Sequence, residues 1–523
     1  MSRKLPIGIQ GFEKLRTGGF LYVDKTEYIY QLAHDNVPYF LSRPRRFGKS
    51  LLLSTMKAYW EGKKELFQGL AIESLEKGNP DAWKTWPIFY FDFNGANYHE
   101  KEALEGILDE QLRRWEQDYN LQIRNESLGE RFRNLLISAH RDTGLRCIVL
   151  VDEYDKPLLD TMDDKELQEH NKDVFKGFFS TLKSFDEYIR FVFITGVSRF
   201  HKVSIFSDLN QLKDISLTKK YAALCGLTEE ELRACFQPEI QKLAEEQGMT
   251  EPECLAALKQ TYDGYHFHPN GPGVYNPYSL LNAFSDGEFG SYWFETGTPT
   301  FLVKKLRETE FDVRKFTDRT LYASEGMLKD YSGDSQDPVP LLYQTGYLTI
   351  AGFERTGRVY TLAFPNEEVK YGFVECLMPE YIADSGAGSG KDIFTLRRYV
   401  EQGELEKIRD VLTALFAGIT CTLETDPFEH YFQAVIYLVF TLLGKFALCE
   451  MHTCTGRIDC KVETTNFVYQ FEFKRDDTAQ AALEQIDSKD YALPFTADSR
   501  KLYKIGVSFD SATRKLAGWA VKK

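Results

Sequence analysis

Arg43-Pro44-Arg45-Arg46-Phe47-Gly48-Lys49-Ser50 lies between an extended apolar run, Pro38-Tyr39-Phe40-Leu41, and a helical one, Leu51-Leu52-Leu53-Ser54-Thr55-Met56. Strand, loop and helix in that order are the setting of a phosphate-binding loop. The Gly48-Lys49-Ser50 end supplies backbone N–H groups at a helix start, an ammonium for the β/γ-phosphates and a hydroxyl for Mg²⁺. The front end departs from the G-x-x-x-x-G-K-[ST] pattern, because Arg43 stands where glycine is expected. Taken alone, the stretch is also compatible with a basic surface turn.

Its neighbours decide between the two. Ile88-Phe89-Tyr90-Phe91-Asp92-Phe93, Cys147-Ile148-Val149-Leu150-Val151 and Phe191-Val192-Phe193-Ile194-Thr195 are further short apolar runs, separated by helical stretches such as that from Lys101 to Tyr119. They are continuously apolar rather than alternating, as strands covered on both faces are. The reading is an α/β fold with a parallel sheet, its ligand beyond the carboxyl ends of the strands.

One strand ends in Asp152-Glu153. The first carboxylate is placed to hold Mg²⁺ and the second to orient and deprotonate an attacking water. The next strand ends in Thr195-Gly196, followed by Ser198 and Arg199. Thr195 is placed to touch the γ-phosphate or the lytic water, Arg199 to stabilise transferred charge, and Asp92 to face the same locus; a turn start at Thr195 and a structural acid bound by Arg199 are the plain alternatives. The nucleotide-binding set is therefore Arg45, Arg46, Phe47, Gly48, Lys49, Ser50, Asp152, Thr195 and Arg199, with Ser50 and Asp152 on the metal and Glu153 catalytic.

Together with Leu150-Val151-Asp152-Glu153-Tyr154-Asp155-Lys156-Pro157, Thr195-Gly196-Val197-Ser198-Arg199-Phe200 and Tyr262-Asp263-Gly264-Tyr265, the arginine-rich loop resembles the AAA-ATPase-like proteins common in bacterial genomes. The resemblance spans most of residues 5 to 370. It implies a P-loop NTPase core with a helical, winged-helix-like lid, and ATP with Mg²⁺ as cofactors. Such ATPases often place an arginine across a subunit interface, which implies a homo-oligomer.

A second constellation lies near the end of the chain. Gly456-Arg457-Ile458-Asp459-Cys460-Lys461-Val462 reads as a strand, and Phe467-Val468-Tyr469-Gln470-Phe471-Glu472-Phe473-Lys474 as its hairpin partner. With a period of two, the aromatic side chains form a core face, while Gln470, Glu472 and Lys474 share the other. Glu472 and Lys474 stand about 7 Å apart along the strand. Asp459 comes from the neighbouring strand. Two carboxylates and a lysine at one locus suit metal-assisted phosphodiester cleavage, with Asp459 and Glu472 on Mg²⁺ or Mn²⁺ and Lys474 on the water or phosphate. An exposed cross-strand ion pair is the bland alternative. The pattern resembles the PD-(D/E)XK nuclease superfamily over about residues 425 to 510. That resemblance implies Glu429 as a helical acid that ligates or supports the metal, and Gln485 as a helix position beside the catalytic lysine. Ile458 stands where the superfamily name has proline.

Bulk properties bound these readings. A chain of 523 residues exceeds one core. Four segments are expected: an ATPase domain over 1–225, a lid over 226–383, a linker over 384–392 and a nuclease-like domain over 393–523. The linker expectation rests on Asp384-Ser385-Gly386-Ala387-Gly388-Ser389-Gly390-Lys391-Asp392, which imitates a phosphate loop but lacks a preceding strand and puts a carboxylate where the hydroxyl belongs. A net charge of −14 leaves nucleic acid, with DNA favoured, to local basic groups such as Arg457, Lys461, Lys474 and Arg475. No run approaches a membrane span and no secretory leader is visible. Nine cysteines without repeated spacing fit a reducing cytoplasm, and Cys449, His452, Cys454 and Cys460 read as structural rather than zinc-binding. The function expected is a nucleotide-controlled nuclease. The alternative is a nucleotide-dependent switch whose C-terminal module binds nucleic acid or protein without cutting.

Overall fold

A computed structural model describes residues 3–35, 37–122, 126–200, 212–295, 302–303, 305–306, 309, 311, 313–316, 321–329, 337–381, 389–417, 438–439, 441, 447–453, 456–489, 498–510, 513 and 515–523. The chain divides into two compact units, one of residues 1–293 with 322–367, the other of residues 294–321 with 368–523.

In the first unit, the apolar runs become β1 (Tyr39–Ser42), β2 (Ile88–Asp92), β3 (Cys147–Asp152) and β4 (Ile189–Gly196), joined by the short β5 (Lys213–Asp214). Every described pairing among them is parallel, in the order β2-β3-β4-β1-β5. All six residues of β3 are buried, which is why that run carries no alternation. Helix α1 (Lys49–Trp60) starts from Gly48 in left-handed backbone, φ 94°. Helices α2 (Ala103–Asp118), α3 (Leu128–Thr143) and α4 (Lys165–Ser184) cover the sheet. Their contact with β2 is an aromatic cluster in which Phe91 meets Trp115, Phe132 and Phe178 edge-on.

Beyond β5 the unit is mainly helical: α5 (Glu229–Cys235), α6 (Gln237–Glu246), α7 (Glu251–Tyr262), α8 (Pro277–Asp286) and α9 (Val339–Thr345). Thr228, a hydroxyl followed by three acids, opens α5 through a capping box with Glu231, and Thr250 with Glu253 repeats the device. A small sheet follows the order β6-β8-β7 (Leu321–Ser324, Val359–Ala363, Thr349–Glu354).

The second unit holds a five-stranded sheet in the order β13-β12-β11-β10-β9. Strands β9 (Ala447–Thr453), β10 (Gly456–Glu463) and β11 (Phe467–Arg475) are antiparallel, β12 (Lys501–Asp510) runs parallel to β11, and β13 (Lys515–Lys522) is antiparallel to β12. Helix α10 (Ser389–Gln402) and helix α11 (Leu405–Ala417) precede the sheet. Ser389-Gly390-Lys391-Asp392, expected to end the linker, lie in the first turn of α10, because the helical period that buries Leu396 and Val400 continues back through them. The aromatic face of β11 is core as expected: Tyr469 donates its hydroxyl to the Val400 carbonyl at 2.7 Å, and Phe471 is fully buried.

The polar face is not open to water. Helix α12 (Ala479–Ser488), the crossover between β11 and β12, lies across it, so Gln470 is 0% and Glu472 1% exposed. Gly506, level with Glu472, allows this approach: a Cβ there would stand 2.1 Å from the Ala479 carbonyl oxygen. Among the described residues no helix is long and apolar enough to cross a membrane.

Gly506→Ala is expected to destabilise the second unit by more than about 2 kcal/mol. Chemical denaturation measures the loss, and hydrogen exchange should localise it to β11, β12 and α12.

Candidate nucleotide and nuclease sites

The two expected sites fall in different units. In the first, Gly48 places its backbone in left-handed conformation with open space where a Cβ would project, as a phosphate cradle requires. Lys49 is 4% exposed, and its Nζ donates to the carbonyls of Arg43 at 3.0 Å and Pro44 at 3.1 Å. The ammonium therefore lies folded onto the loop it would share with phosphate. Ser50 is half-buried one residue into α1.

Arg43 does not face this cradle as a phosphate ligand. It is 1% exposed, donates to the carbonyls of Ser42, Ser216 and Tyr221, and stacks its guanidinium 3.9 Å from the Phe267 ring centroid. Phe47 is likewise buried, edge-on to Tyr265 and Phe267, so only its backbone is available to a ligand. Arg45, Arg46 and Gly48 are the exposed members of the loop. Arg46 adopts φ 69° and lies over Tyr278 at 4.7 Å, while the Arg45 carbonyl accepts a bond from Trp293 Nε1 at 3.4 Å.

The strand ends meet beside the loop. Asp152 is 1% exposed and accepts from Thr195 Oγ1 at 2.7 Å and from the Tyr90 hydroxyl at 3.3 Å. Glu153 follows in left-handed backbone, φ 50°. Desolvation raises its pKa, and the Lys49 charge opposes the rise. Arg199 pairs with Asp214 at 3.1 Å, and its N–H donates to Gln344 Oε1 at 3.2 Å. In this arrangement the guanidinium is engaged by a carboxylate on β5. Asp92 accepts from the backbone and side chain of Asn94, and burial raises its pKa.

In the second unit, Asp459 accepts from the Phe473 N–H at 2.9 Å, which ties β10 to the C-terminal end of β11. Lys474 Nζ donates to Gln485 Oε1, and Gln485 Nε2 donates to Glu472 Oε1. One carboxamide thus bridges the ammonium and the buried carboxylate. Burial first, then the Asp459 charge, pushes the Glu472 pKa up to about 8, against the opposing pull of Lys474. Glu429 lies outside the described residues, and among those described no group of three or more His, Cys, Asp or Glu is arranged as a metal cluster.

Two family models match the chain, one of a predicted AAA-ATPase over residues 6–206 and one of the PD-(D/E)XK nuclease superfamily over residues 427–519. A protein from Azotobacter chroococcum mcd 1, described as an uncharacterized protein in the vnfD 5' region, is 37% identical over 537 aligned residues that cover 100% of this chain and 99% of that one. This chain is an AAA-ATPase-like protein with a C-terminal PD-(D/E)XK nuclease superfamily domain.

Within this AAA-ATPase-like protein the residues present fit the groups the two families use. The open cradle at Gly48 and the buried Asp152 suit a magnesium nucleotide. A carboxylate as desolvated as Glu472, with Oε2 buried and unbonded, suits a hard cation that would replace its proton.

Sequence reading overlooked Asp155. It is 1% exposed and accepts from the N–H groups of Val197 and Ser198 and from Ser198 Oγ, at 2.6 to 3.1 Å. Tyr154 adds a bond from its hydroxyl to the Ser198 carbonyl at 3.0 Å, and Gly196 leaves room for both side chains. The acid turn thereby holds the segment after Thr195. Its signal was the third acid in Asp152-Glu153-Tyr154-Asp155, two positions past Glu153.

Asp155→Ala leaves buried donors unpaired and is expected to cost about 3 kcal/mol of stability in chemical denaturation. A second expectation concerns pH. A carboxyl whose folded-state pKa lies above its unfolded value is held protonated by the fold. Its contribution is fully present below about 4.5 and lost as pH rises through about 8. In EDTA, the urea midpoint of the second unit should therefore fall from pH 5 to pH 9 more steeply in the native sequence than in Glu472→Gln. Saturating Mg²⁺ should flatten the difference.

Proposed function

We propose that ATP binding and turnover at Lys49, Asp152 and Glu153 control metal-dependent cleavage of nucleic-acid phosphodiesters, with DNA the favoured substrate, at Asp459, Glu472 and Lys474. The observation that carries the reading is the Lys474–Gln485–Glu472 bridge on a covered sheet face, with Asp459 at its edge. An ordinary surface ion pair has no need of a buried carboxylate held close to neutrality.

On the nucleotide side, Lys49 would exchange its bonds to the Arg43 and Pro44 carbonyls for phosphate oxygens, with the Gly48 backbone and exposed Arg45 and Arg46 around them. Ser50 and Asp152 would hold the magnesium shell, Asp152 being oriented by Thr195 and Tyr90. Glu153, its basicity raised by burial, would take the proton from water as the terminal phosphate leaves. Arg199 would act on transferred charge after leaving Asp214. The domain limits of 1–225, 226–383, 384–392 and 393–523 belong to the same proposal, as do a cytoplasmic location and assembly into a homo-oligomer.

On the nuclease side, Asp459 and Glu472, with Glu429 as a further ligand, would hold Mg²⁺ or Mn²⁺, which supplies polarisation of the phosphate and a more acidic water. Gln485 occupies one of the three Lys474 donors, leaving two for the water or a phosphate oxygen. The same carboxamide keeps Glu472 facing Lys474 along the strand.

The test incubates purified protein with single- and double-stranded DNA and RNA, Mg²⁺ or Mn²⁺, with and without ATP. Lys474→Ala should lower cleavage by about 100-fold or more. Lys49→Ala should retain metal-dependent cleavage but lose its response to ATP. Unchanged cleavage in Lys474→Ala refutes the site. Absence of cleavage under every condition, with ATP and nucleic acid still bound, would make the C-terminal domain a binding module.

A further inference from the structure

Among the described residues, strand β2 ends the five-stranded sheet of the first unit and pairs with β3 alone. The bonds from Ile148 N to the Pro87 carbonyl and from Phe93 N to the Asp152 carbonyl set its phase. Odd-numbered residues turn their amides toward β3, so Ile88, Tyr90 and Asp92 turn theirs outward. An unpaired edge of this kind is usually shortened, charged or covered. Here it forms the wall of an open groove of about 1060 Å³, whose other side is α2.

Gln111 on α2 already imitates one rung of a missing strand. Its Nε2 donates to the outward carbonyl of Asp92 at 2.8 Å, while its Oε1 is buried with no hydrogen-bond partner among the described residues. That oxygen is an acceptor left without a donor beside the strand edge. Trp115 on α2, Tyr119 just past its end, and Tyr90 on β2 add half-buried aromatic surface along the groove.

The charge of the lining selects among strands. Lys57 pairs with Glu61 at 3.7 Å and Arg114 with Glu110 at 3.4 Å, so both cations of the groove are balanced. Asp92, Glu100 and Asp118 remain in excess. Asp118 is moreover the last residue of α2, where a carboxylate opposes the helix dipole and is tolerated at a cost.

We propose that this groove binds an extended, arginine- or lysine-bearing segment of a protein partner, which adds to β2 as a sixth strand. Its backbone pairs with Ile88 and Tyr90, its cations meet Asp92, Glu100 and Asp118, and arginine planes lie on the aromatic surface. A nucleic-acid strand is disfavoured by the same carboxylates.

The probe is a fluorescein-labelled peptide of about seven residues in which arginine alternates with valine, long enough for one ordinary strand. Fluorescence anisotropy compares it with a glutamate-for-arginine version and with a version N-methylated at alternate amides. Glu100→Lys with Asp118→Lys tests the protein side; both residues are exposed, so the fold should survive. The basic peptide should bind the full chain at physiological salt, with affinity lowered about tenfold or more by the double substitution, by N-methylation and by charge reversal in the peptide. Equal binding of the N-methylated peptide would reduce the groove to a diffuse acidic surface and overturn strand addition. No preference for the basic peptide over the acidic one would overturn the charge argument. Self-association that sedimentation detects and the double substitution abolishes would identify a second copy of this chain as the occupant and refute a partner segment.

Discussion

The guanidinium of Arg43 is the contact on which the phosphate loop depends. A glycine at that position would leave the loop's first residue unanchored by a side chain. Arg43 instead reaches into the protein, bonds three carbonyls and stacks on Phe267. Both Nη groups of this buried guanidinium are met by the Ser42, Ser216 and Tyr221 carbonyls, while its Nε has no partner among the described residues. The loop's backbone, Phe47 and Gly48 are thereby set against Tyr265, Phe267 and Gly226, whose N–H bonds the Phe47 carbonyl at 3.2 Å. Conformational change in the segments around residues 216–226 and 265–267 therefore acts directly on the nucleotide cradle.

Both sites use desolvation as their chemical device, with different partners. At the nucleotide site Asp152 is satisfied by two hydroxyls and Asp155 by backbone N–H groups, while Glu153, the one acid turned away by a positive φ, has its basicity raised by burial. At the proposed nuclease site a helix laid over the polar sheet face desolvates Glu472 and supplies the carboxamide that links it to Lys474. In each case a neutral donor orients the carboxylate without cancelling its attraction for a cation.

Much of this was legible because the relevant patterns are local. Continuous apolar runs announced buried parallel strands, and period-two alternation announced the hairpin of β10 and β11. Thr228 announced a helix start through chemistry confined to four residues. Residues 389–392 show the ambiguity of such a stretch: glycine and serine suit a linker as readily as the first turn of a helix, and the apolar period that includes them lies downstream. Arg199 shows a different limit. A positive charge past a strand end suits a phosphate, but the acid it meets, Asp214, is fifteen positions on and arrives through β5.

By itself the sequence determined the parallel core, the loop's placement at a helix start, and the spacing of Asp459, Glu472 and Lys474, since each follows from residue order along one or two adjacent elements. Only tertiary structure decided which way Arg43 points, that Asp155 clamps the next strand's end, that α12 buries the polar face of β11, and that β2 is left as an edge beside an acidic groove. Those outcomes depend on contacts between segments remote in the chain, where burial and hydrogen-bond satisfaction outweigh local preference.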